Sequence, residues 1–332
     1  MSSPITRLYK NLIRHLYKKA FPQEYQTTRY GVINIAGFGD NFKEYQLHTN
    51  MLEAVENLKQ GLSDEDKQLI DNKHRHFVFL PLKNFYMGSD RYSYFLTEKE
   101  QAEKQKWLDT LPEIKKKYFF SGRYNPEVFF YHHGLKFLSS SVLSYIKNKS
   151  FVDCGAFHGD SCIIMNEYSP AHIFALELLP SAQEILYKNL TKNNINPDNI
   201  SFINCGVSNT ESKITIKDTK HMGTIAKTHN CNGISVPVKK LDTLFKDRKE
   251  KIGWIKMDIE GAAYEAIEGA LDIIKKDKPL LTLAIYHTPK EFFAIKPLLE
   301  ALNLGYTFMI RNLNPTTSNL ETTLIGIPPI EE

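Results

Sequence analysis

The sequence predicts an α/β protein with a mostly parallel β-sheet, preceded by a mainly helical region. From residue 150 onward, short apolar segments alternate with segments of helical periodicity, which is the pattern of a parallel, doubly wound sheet. The last two apolar segments, YTFMIRN and TTLIGIP, have no helix between them and predict a closing antiparallel hairpin. Residues 50–118 are polar and mostly helical in pattern. We therefore divide the chain into residues 1–120, an accessory region that shapes a substrate pocket, and residues 121–332, the sheet domain.

The composition excludes several classes of protein. The 332 residues include 42% hydrophobic and 24% charged residues, and the net charge of +4 does not single out nucleic acid as a partner. No apolar run approaches the about 18 residues of a membrane helix. Residues 5–20 predict a basic amphipathic helix, which either packs on protein or lies on an anionic membrane surface. We expect a cytoplasmic protein, with peripheral contact at the inner membrane face as the alternative.

The elements of the sheet domain follow in order. The predicted strands are FVDCG, HIFALE, ISFINCGVS, IGWIKMDIE, PLLTLAIYH, YTFMIRN and TTLIGIP. Helices are predicted in SAQEILYKNLTKNN, AAYEAIEGALDIIKK and EFFAIKPLLEALN. Two strand-like, polar segments, SKITIK and ISVPVKK, stand between the third and fourth of these strands.

The first strand ends in a glycine-rich turn, FVDCGAFHGDS, at residues 151–161. Ligands of such sheets bind at the carboxyl ends of strands, and glycine lets the backbone approach a ligand closely. The spacing Gly155-x-x-x-Gly159 lacks the third glycine of the dinucleotide fingerprint G-x-G-x-x-G, which argues against a nicotinamide cofactor. Asp160 or Ser161 is expected to cap the following helix.

Three further strand ends carry ionisable side chains. Glu177 follows Gly155 by about the 20 residues typical of an acid that binds ribose hydroxyls, and a carboxylate can accept two hydrogen bonds from a diol. Asp258 and Glu260 end the IGWIKMDIE strand, and His287 ends the PLLTLAIYH strand. The two acids could receive a substrate hydroxyl, bind a divalent ion or brace the loop. His287 is a candidate base because the histidine side chain, with an ordinary pKa of about 6.5, is the usual proton acceptor near pH 7.

These segments together resemble a known family. FVDCGAFHGDS is similar to the D-x-G-A-x-x-G-D turn of FkbM-type methyltransferases, and IKMDIEGAAYEAIEGA resembles their K-x-D-x-E-G segment and its helix. KLDTLF, IYHTPKEFF and ETTLIG also look like the family, so the resemblance covers roughly residues 120–330. The sequence departs from the family at Phe157 and His158, where Asn and an aliphatic residue are commonest. It departs again where Leu178 and Leu179 separate Glu177 from proline.

The resemblance implies a Rossmann-like, seven-stranded class I methyltransferase sheet that uses S-adenosyl-L-methionine. It implies methyl transfer to a hydroxyl of a sugar, in a cell-surface glycan or a secondary metabolite. Asp258, Glu260 and His287 are the predicted catalytic residues. The predicted cofactor-binding residues are Asp153, Gly155, Ala156, Phe157, His158, Gly159, Asp160, Ser161, Glu177, Leu178, Gly206, Val207 and Asp258.

Some assignments stay open at this point. Asp153 either holds the turn through backbone N–H groups or binds the methionine ammonium of the cofactor. An ion held by Asp258, Glu260 and His287 is compatible with their chemistry, but a divalent metal is not expected. Two other functions remain as alternatives. One is a nicotinamide-dependent oxidoreductase on a similar sheet, and the other is a non-catalytic scaffold that docks to membranes through residues 5–20.

Overall fold

The computed structural model describes residues 38–79, 98–218, 223–225, 233–316 and 321–330. The helix predicted over residues 5–20 lies outside these ranges. The described α-helices are α1 (Phe38–His48), α2 (Met51–Lys59), α3 (Asp64–Phe79), α4 (Glu98–Lys117), α5 (Pro126–Phe129), α6 (Ser140–Ile146), α7 (Asp160–Asn166), α8 (Ala182–Lys192), α9 (Leu241–Leu244), α10 (Ala263–Glu268), α11 (Leu271–Asp277) and α12 (Pro289–Glu300). Short 3₁₀ helices span His132–Phe137 and Pro197–Asn199.

A seven-stranded sheet forms the centre of the fold. Its strands are β1 (Ser150–Cys154), β2 (Ile173–Leu176), β3 (Ile200–Ile203), β8 (Ile252–Met257), β9 (Leu280–Ala284), β10 (Thr307–Asn312) and β11 (Thr322–Ile327). Their spatial order is β10-β11-β9-β8-β1-β2-β3. The pairs from β9 to β3 are parallel, whereas β11 is antiparallel to both β9 and β10. The predicted parallel sheet with a terminal antiparallel hairpin is confirmed.

A second sheet interrupts the strand–helix alternation. It consists of β4 (Gly206–Val207), β5 (Ser212–Asp218), β6 (Gly223–Ile225) and β7 (Ile234–Lys239), in the order β4-β7-β5-β6. The polar segments SKITIK and ISVPVKK are its central antiparallel pair, β5 and β7. Its buried Ile216 and Val236 pack with Leu179 and Ala182. The second sheet therefore packs against the segment that follows β2.

The central sheet has a hydrophobic core on each face. Side chains of a strand alternate between faces, and neighbouring residues here belong to different clusters. Phe151 and Trp254 pack in one cluster with helices α7 and α8, whereas Val152 and Ile255 pack in the other with α10, α11 and α12. Both faces are therefore covered, as a parallel sheet requires.

The described part of the N-terminal region packs on the sheet domain. Phe42 of α1 stacks on Phe293 of α12, with ring centroids 6.3 Å apart. Asp66 of α3 is ion-paired with Arg311 of β10 and accepts the backbone N–H of Ile310 at 3.1 Å. These contacts join α1–α3 to one edge of the central sheet. The domain boundary at residue 120 stays a prediction. No helix in the described residues is long and apolar enough to cross a membrane.

Candidate functional site

The glycine-rich turn brings the end of β1 against the end of β8. Gly155 has φ +83°, and a Cβ atom there would lie 2.0 Å from the backbone oxygen of Asp258. Gly159 also has φ +83° and is the N-cap of α7, which leaves Asp160 as its first helical residue. The expected cap by Asp160 or Ser161 is therefore wrong. A left-handed backbone and a close approach explain why glycine stands at position 155.

Glu177 holds this turn. Its Oε2 atom accepts the backbone N–H of Phe157 at 2.9 Å, and its Oε1 atom accepts that of Leu179 at 2.9 Å. Asn204 donates to the carbonyls of Glu177 and Leu178 at 2.8 and 3.0 Å, which fixes the exit of β2. Burial raises the pKa of Glu177, although the backbone donors oppose that rise. A carboxylate has about four acceptor sites, so the carboxylate retains capacity for a diol.

Asp153 is held by a buried lysine that the sequence pattern alone did not single out. The Nζ atom of Lys256 lies 3.0 Å from Asp153 Oδ1 and donates to the carbonyl of Gly155 at 2.9 Å. Burial lowers the pKa of Lys256, but the carboxylates of Asp153, Asp258 and Asp160 raise it by more, so the lysine is charged. The available signal was the lysine of the K-x-D-x-E-G segment, which lies on a buried strand.

The other predicted residues of the turn are buried or half-buried. Burial raises the pKa of Asp160 to about 6, and Lys256 opposes the rise. The rings of Phe157 and His158 stack with centroids 3.7 Å apart, and Phe157 has φ +41°. Ala156 and Ser161 are buried below the turn.

Asp258, Glu260 and His287 come together at the neighbouring strand ends. His287 Nε2 lies 3.4 Å from Asp258 Oδ1 and 3.7 Å from Glu260 Oε2. The exposed fractions of these side chains differ: 6% for His287, 30% for Asp258 and 84% for Glu260. Glu291 fixes the loop after His287, because it forms a capping box with Thr288 and accepts the backbone N–H of Ala263 at 2.9 Å. A histidine beside a carboxylate can take up a proton.

Gly206 and Val207 lie farther from the turn. They form β4 of the second sheet, and a Cβ atom at Gly206 would be 2.9 Å from Leu178 Cδ2. Val207 is buried in the core. Leu178 thus stands between the exit of β2 and this strand, next to Glu177.

A small polar cavity lies beside Asp258 and includes Glu127, which no sequence motif had indicated. It is lined by Glu127, His133, Lys256, Met257, Asp258, Thr282, Ala284, Glu321 and Thr323. Glu321 belongs to ETTLIG, so the resemblance offered a signal there. Glu127 and His133 come from an aromatic-rich segment with no recognisable pattern. In the part of the chain that the structure describes, no group of three His, Cys, Asp or Glu side chains is arranged to hold a metal ion.

Part of the chain matches a known domain family. Residues 153–308 match a family model described as the methyltransferase FkbM domain. A sequence comparison with curated proteins finds no match. The crystal structure of methyltransferase FkbM from Methylobacillus flagellatus KT is similar, with a TM-score of 0.54 and 17% identity, over 83% of this chain and 58% of that one. An O-methyltransferase from Bacillus cereus in complex with SAH gives a TM-score of 0.40 and 12% identity, over 70% and 92%.

The chain spans 58% of the length of the Methylobacillus flagellatus protein, and that likeness supports the fold. The match to the family model runs from the glycine-rich turn, through Glu177 and Asp258, to the first strand of the closing hairpin. The predicted resemblance to FkbM-type methyltransferases and the predicted enzyme class, an S-adenosylmethionine-dependent methyltransferase, are both confirmed. Residues 153–308 therefore carry the match to the FkbM methyltransferase domain that the sequence motifs predicted.

Proposed function

We propose that the protein is an O-methyltransferase that moves a methyl group from S-adenosylmethionine to a hydroxyl of a sugar, in a cell-surface glycan or a secondary metabolite. The observation that supports this most is the arrangement at one sheet edge. Glu177, after β2, holds the glycine-rich turn and retains acceptor capacity. His287 lies against Asp258, which follows β8, two strands from β2. Glu177 can bind a ribose, and His287 beside Asp258 can accept a proton.

The residues divide the work of methyl transfer. When bound, S-adenosylmethionine supplies an activated methyl group, so the protein mainly has to position the reactants. Glu177 would accept hydrogen bonds from the ribose hydroxyls. Lys256 neutralises the carboxylate of Asp153 inside the fold. Other hydrogen-bond acceptors would therefore have to bind the methionine ammonium of the cofactor. His287 would take the hydroxyl proton through Nε2, and Asp258 would stabilise the imidazolium that forms.

Binding and transfer measurements test the proposal. Isothermal titration should give binding of S-adenosylhomocysteine and no binding of NAD, and a screen of nucleotide sugars and surface glycans should yield a methylated sugar. Binding of NAD alone would favour the oxidoreductase. Liposome binding through residues 5–20 together with no transfer to any acceptor would favour the scaffold.

We propose that no nucleic acid is bound and that the protein works in the cytoplasm, with any membrane contact made by residues 5–20.

Glu177→Ala is expected to weaken S-adenosylhomocysteine binding by about 1–3 kcal/mol, because hydrogen bonds to a charged group are lost. Isothermal titration measures the change. Glu184→Ala is the matched control, since Glu184 is an exposed acid on α8, the next helix, and should leave binding unchanged. Equal affinity of the Glu177 variant and the wild type would show that this carboxylate does not bind the ribose.

His287→Ala is expected to slow turnover by roughly 10²–10⁴-fold while cofactor affinity stays the same, because a positioned base contributes about this much. Steady-state kinetics on an acceptor found in the screen gives the ratio. His172→Ala is the control, since His172 bonds Ser201 at the opposite end of the sheet. Turnover that is unaffected by the loss of His287 would assign the base to Asp258 or Glu260.

A further inference from the structure

The polar cavity beside Asp258 is built by four separate segments of the chain. Glu127 comes from α5 and His133 from the 3₁₀ helix that follows, while Asp258 and Ala284 mark the carboxyl ends of β8 and β9. Glu321 precedes the first residue of β11. The cavity shares Asp258 with the proposed proton acceptor His287, so a group bound here would adjoin the reacting hydroxyl.

Two buried polar atoms in this cavity have no hydrogen-bond partner among the described residues. They are Oε2 of Glu127 and Nε2 of His133, and each residue is only 7% exposed. A buried polar atom without a partner is unfavourable, because nothing replaces the hydrogen bonds it made to water, and such atoms need a specific explanation. A ligand that brings hydrogen bonds into the cavity would satisfy both.

The backbone around the cavity is strained. His133 has φ +51° and Glu321 has φ +57°, and residues other than glycine seldom adopt this left-handed region. Strain of this kind is typical of ligand-binding positions. Both of these positions line the cavity.

The charges determine which ligand fits. The cavity has three carboxyl groups, on Glu127, Asp258 and Glu321, whereas its one ammonium, on Lys256, is bound by Asp153. Burial raises the pKa of Glu127 to about 8 and that of Glu321 well above its usual range, and the neighbouring acids add to both. An anionic ligand would meet further repulsion here. A hydroxyl suits these groups because it donates to a carboxylate and accepts from a protonated carboxyl.

We propose that Glu127, Glu321 and His133 form a subsite that binds an uncharged hydroxyl of the sugar acceptor next to the methylated position, since a cavity of about 10 Å³ has room for one such group. The proposal rests on the proposed function. Tyr286 supports the subsite by donating its hydroxyl to Glu321 Oε1 at 3.1 Å. The same carboxyl groups exclude a carboxylate or a phosphate from this end of the acceptor. The preferred acceptors are therefore neutral sugars, and uronic acids and sugar phosphates are rejected.

The test compares neutral and anionic glycosides on the full chain loaded with S-adenosylhomocysteine. The probes are methyl glycosides of glucose, galactose, mannose and rhamnose, with methyl glucuronide as the matched anion, and binding is measured by saturation-transfer NMR and calorimetry. At least one neutral glycoside is expected to bind about 10-fold or more tightly than the glucuronide. A factor of about 10 is what one buried polar group without a partner typically costs in affinity. Binding of the glucuronide as tight as that of the glucoside, or no binding by any neutral glycoside, overturns the proposal.

Two isosteric variants locate the site. Glu127→Gln and Glu321→Gln are each expected to lower the affinity for the neutral glycoside by about 10-fold. The affinity for S-adenosylhomocysteine is expected to stay the same. Glu167→Gln is the control, because Glu167 follows the far end of α7, where it bonds Tyr118 at 2.6 Å. Unchanged glycoside affinity in both cavity variants overturns the assignment. If neither variant folds, the comparison of glucoside with glucuronide on the unaltered protein decides.

Methyl transfer separates this proposal from the proposed function. If neutral glycosides bind through Glu127 and Glu321 but none is methylated, the proposed function fails and the subsite remains. If sugars are methylated with no preference for the neutral ones, the subsite fails and the proposed function remains.

Discussion

Replacing Lys256 by methionine is expected to lower the free energy of unfolding by about 3–5 kcal/mol, because one partner of a buried ion pair is removed. Asp153 is fully buried and Lys256 nearly so, and the two side chains are 3.0 Å apart. Without the ammonium, the carboxylate of Asp153 stays buried and uncompensated, and the carbonyl of Gly155 loses its donor. Chemical denaturation of the ligand-free protein measures the loss.

A double variant isolates the ion pair from the loss of the lysine side chain. Lys256→Met combined with Asp153→Asn removes both charges, and it should recover part of the stability because no unpaired charge remains. Lys188→Met, at an exposed position of α8, is the control and should stay within about 0.5 kcal/mol of the wild type. A Lys256 variant as stable as this control would mean that the ion pair contributes nothing to the fold.

Gly155→Ala is expected to cost about 2–5 kcal/mol of stability, through two effects. A left-handed backbone costs alanine about 1–2 kcal/mol, and crowding in a well-packed region costs typically 1–3 kcal/mol more. The added Cβ would lie 2.0 Å from the backbone oxygen of Asp258, so the end of β1 would have to move away from β8. Thermal and chemical unfolding give the loss in stability.

Gly61→Ala separates these two effects. Gly61 has φ +70°, and a Cβ atom there would have nothing within 4 Å, so this variant measures the backbone cost alone. The difference between the two variants is then the cost of the close approach. If Gly155→Ala proves no more destabilising than Gly61→Ala, the ends of β1 and β8 are farther apart than the structure indicates.

The central fold could be predicted from the sequence because hydrophobic period and segment order are local properties. Apolar strands such as IGWIKM and LLTLA are buried on both faces, so they appear as continuous apolar runs. The missing helix before TTLIGIP was enough to predict the antiparallel hairpin. The second sheet was harder to predict, since β4 has only two residues and β5 is largely polar. Its strands are defined by pairing rather than by a strong pattern of their own.

The residues at the strand ends could also be identified without coordinates: Gly155 after β1, Glu177 after β2, Asp258 after β8 and His287 after β9. This was possible because the carboxyl ends of parallel strands share one edge of the sheet. Tertiary packing was needed to establish that Lys256 neutralises Asp153, and that Glu127 and Glu321 face one cavity from positions far apart in the chain. The reason is physical: burial, ion pairing and unpartnered polar atoms depend on which distant segments pack together, and neither spacing nor periodicity records that.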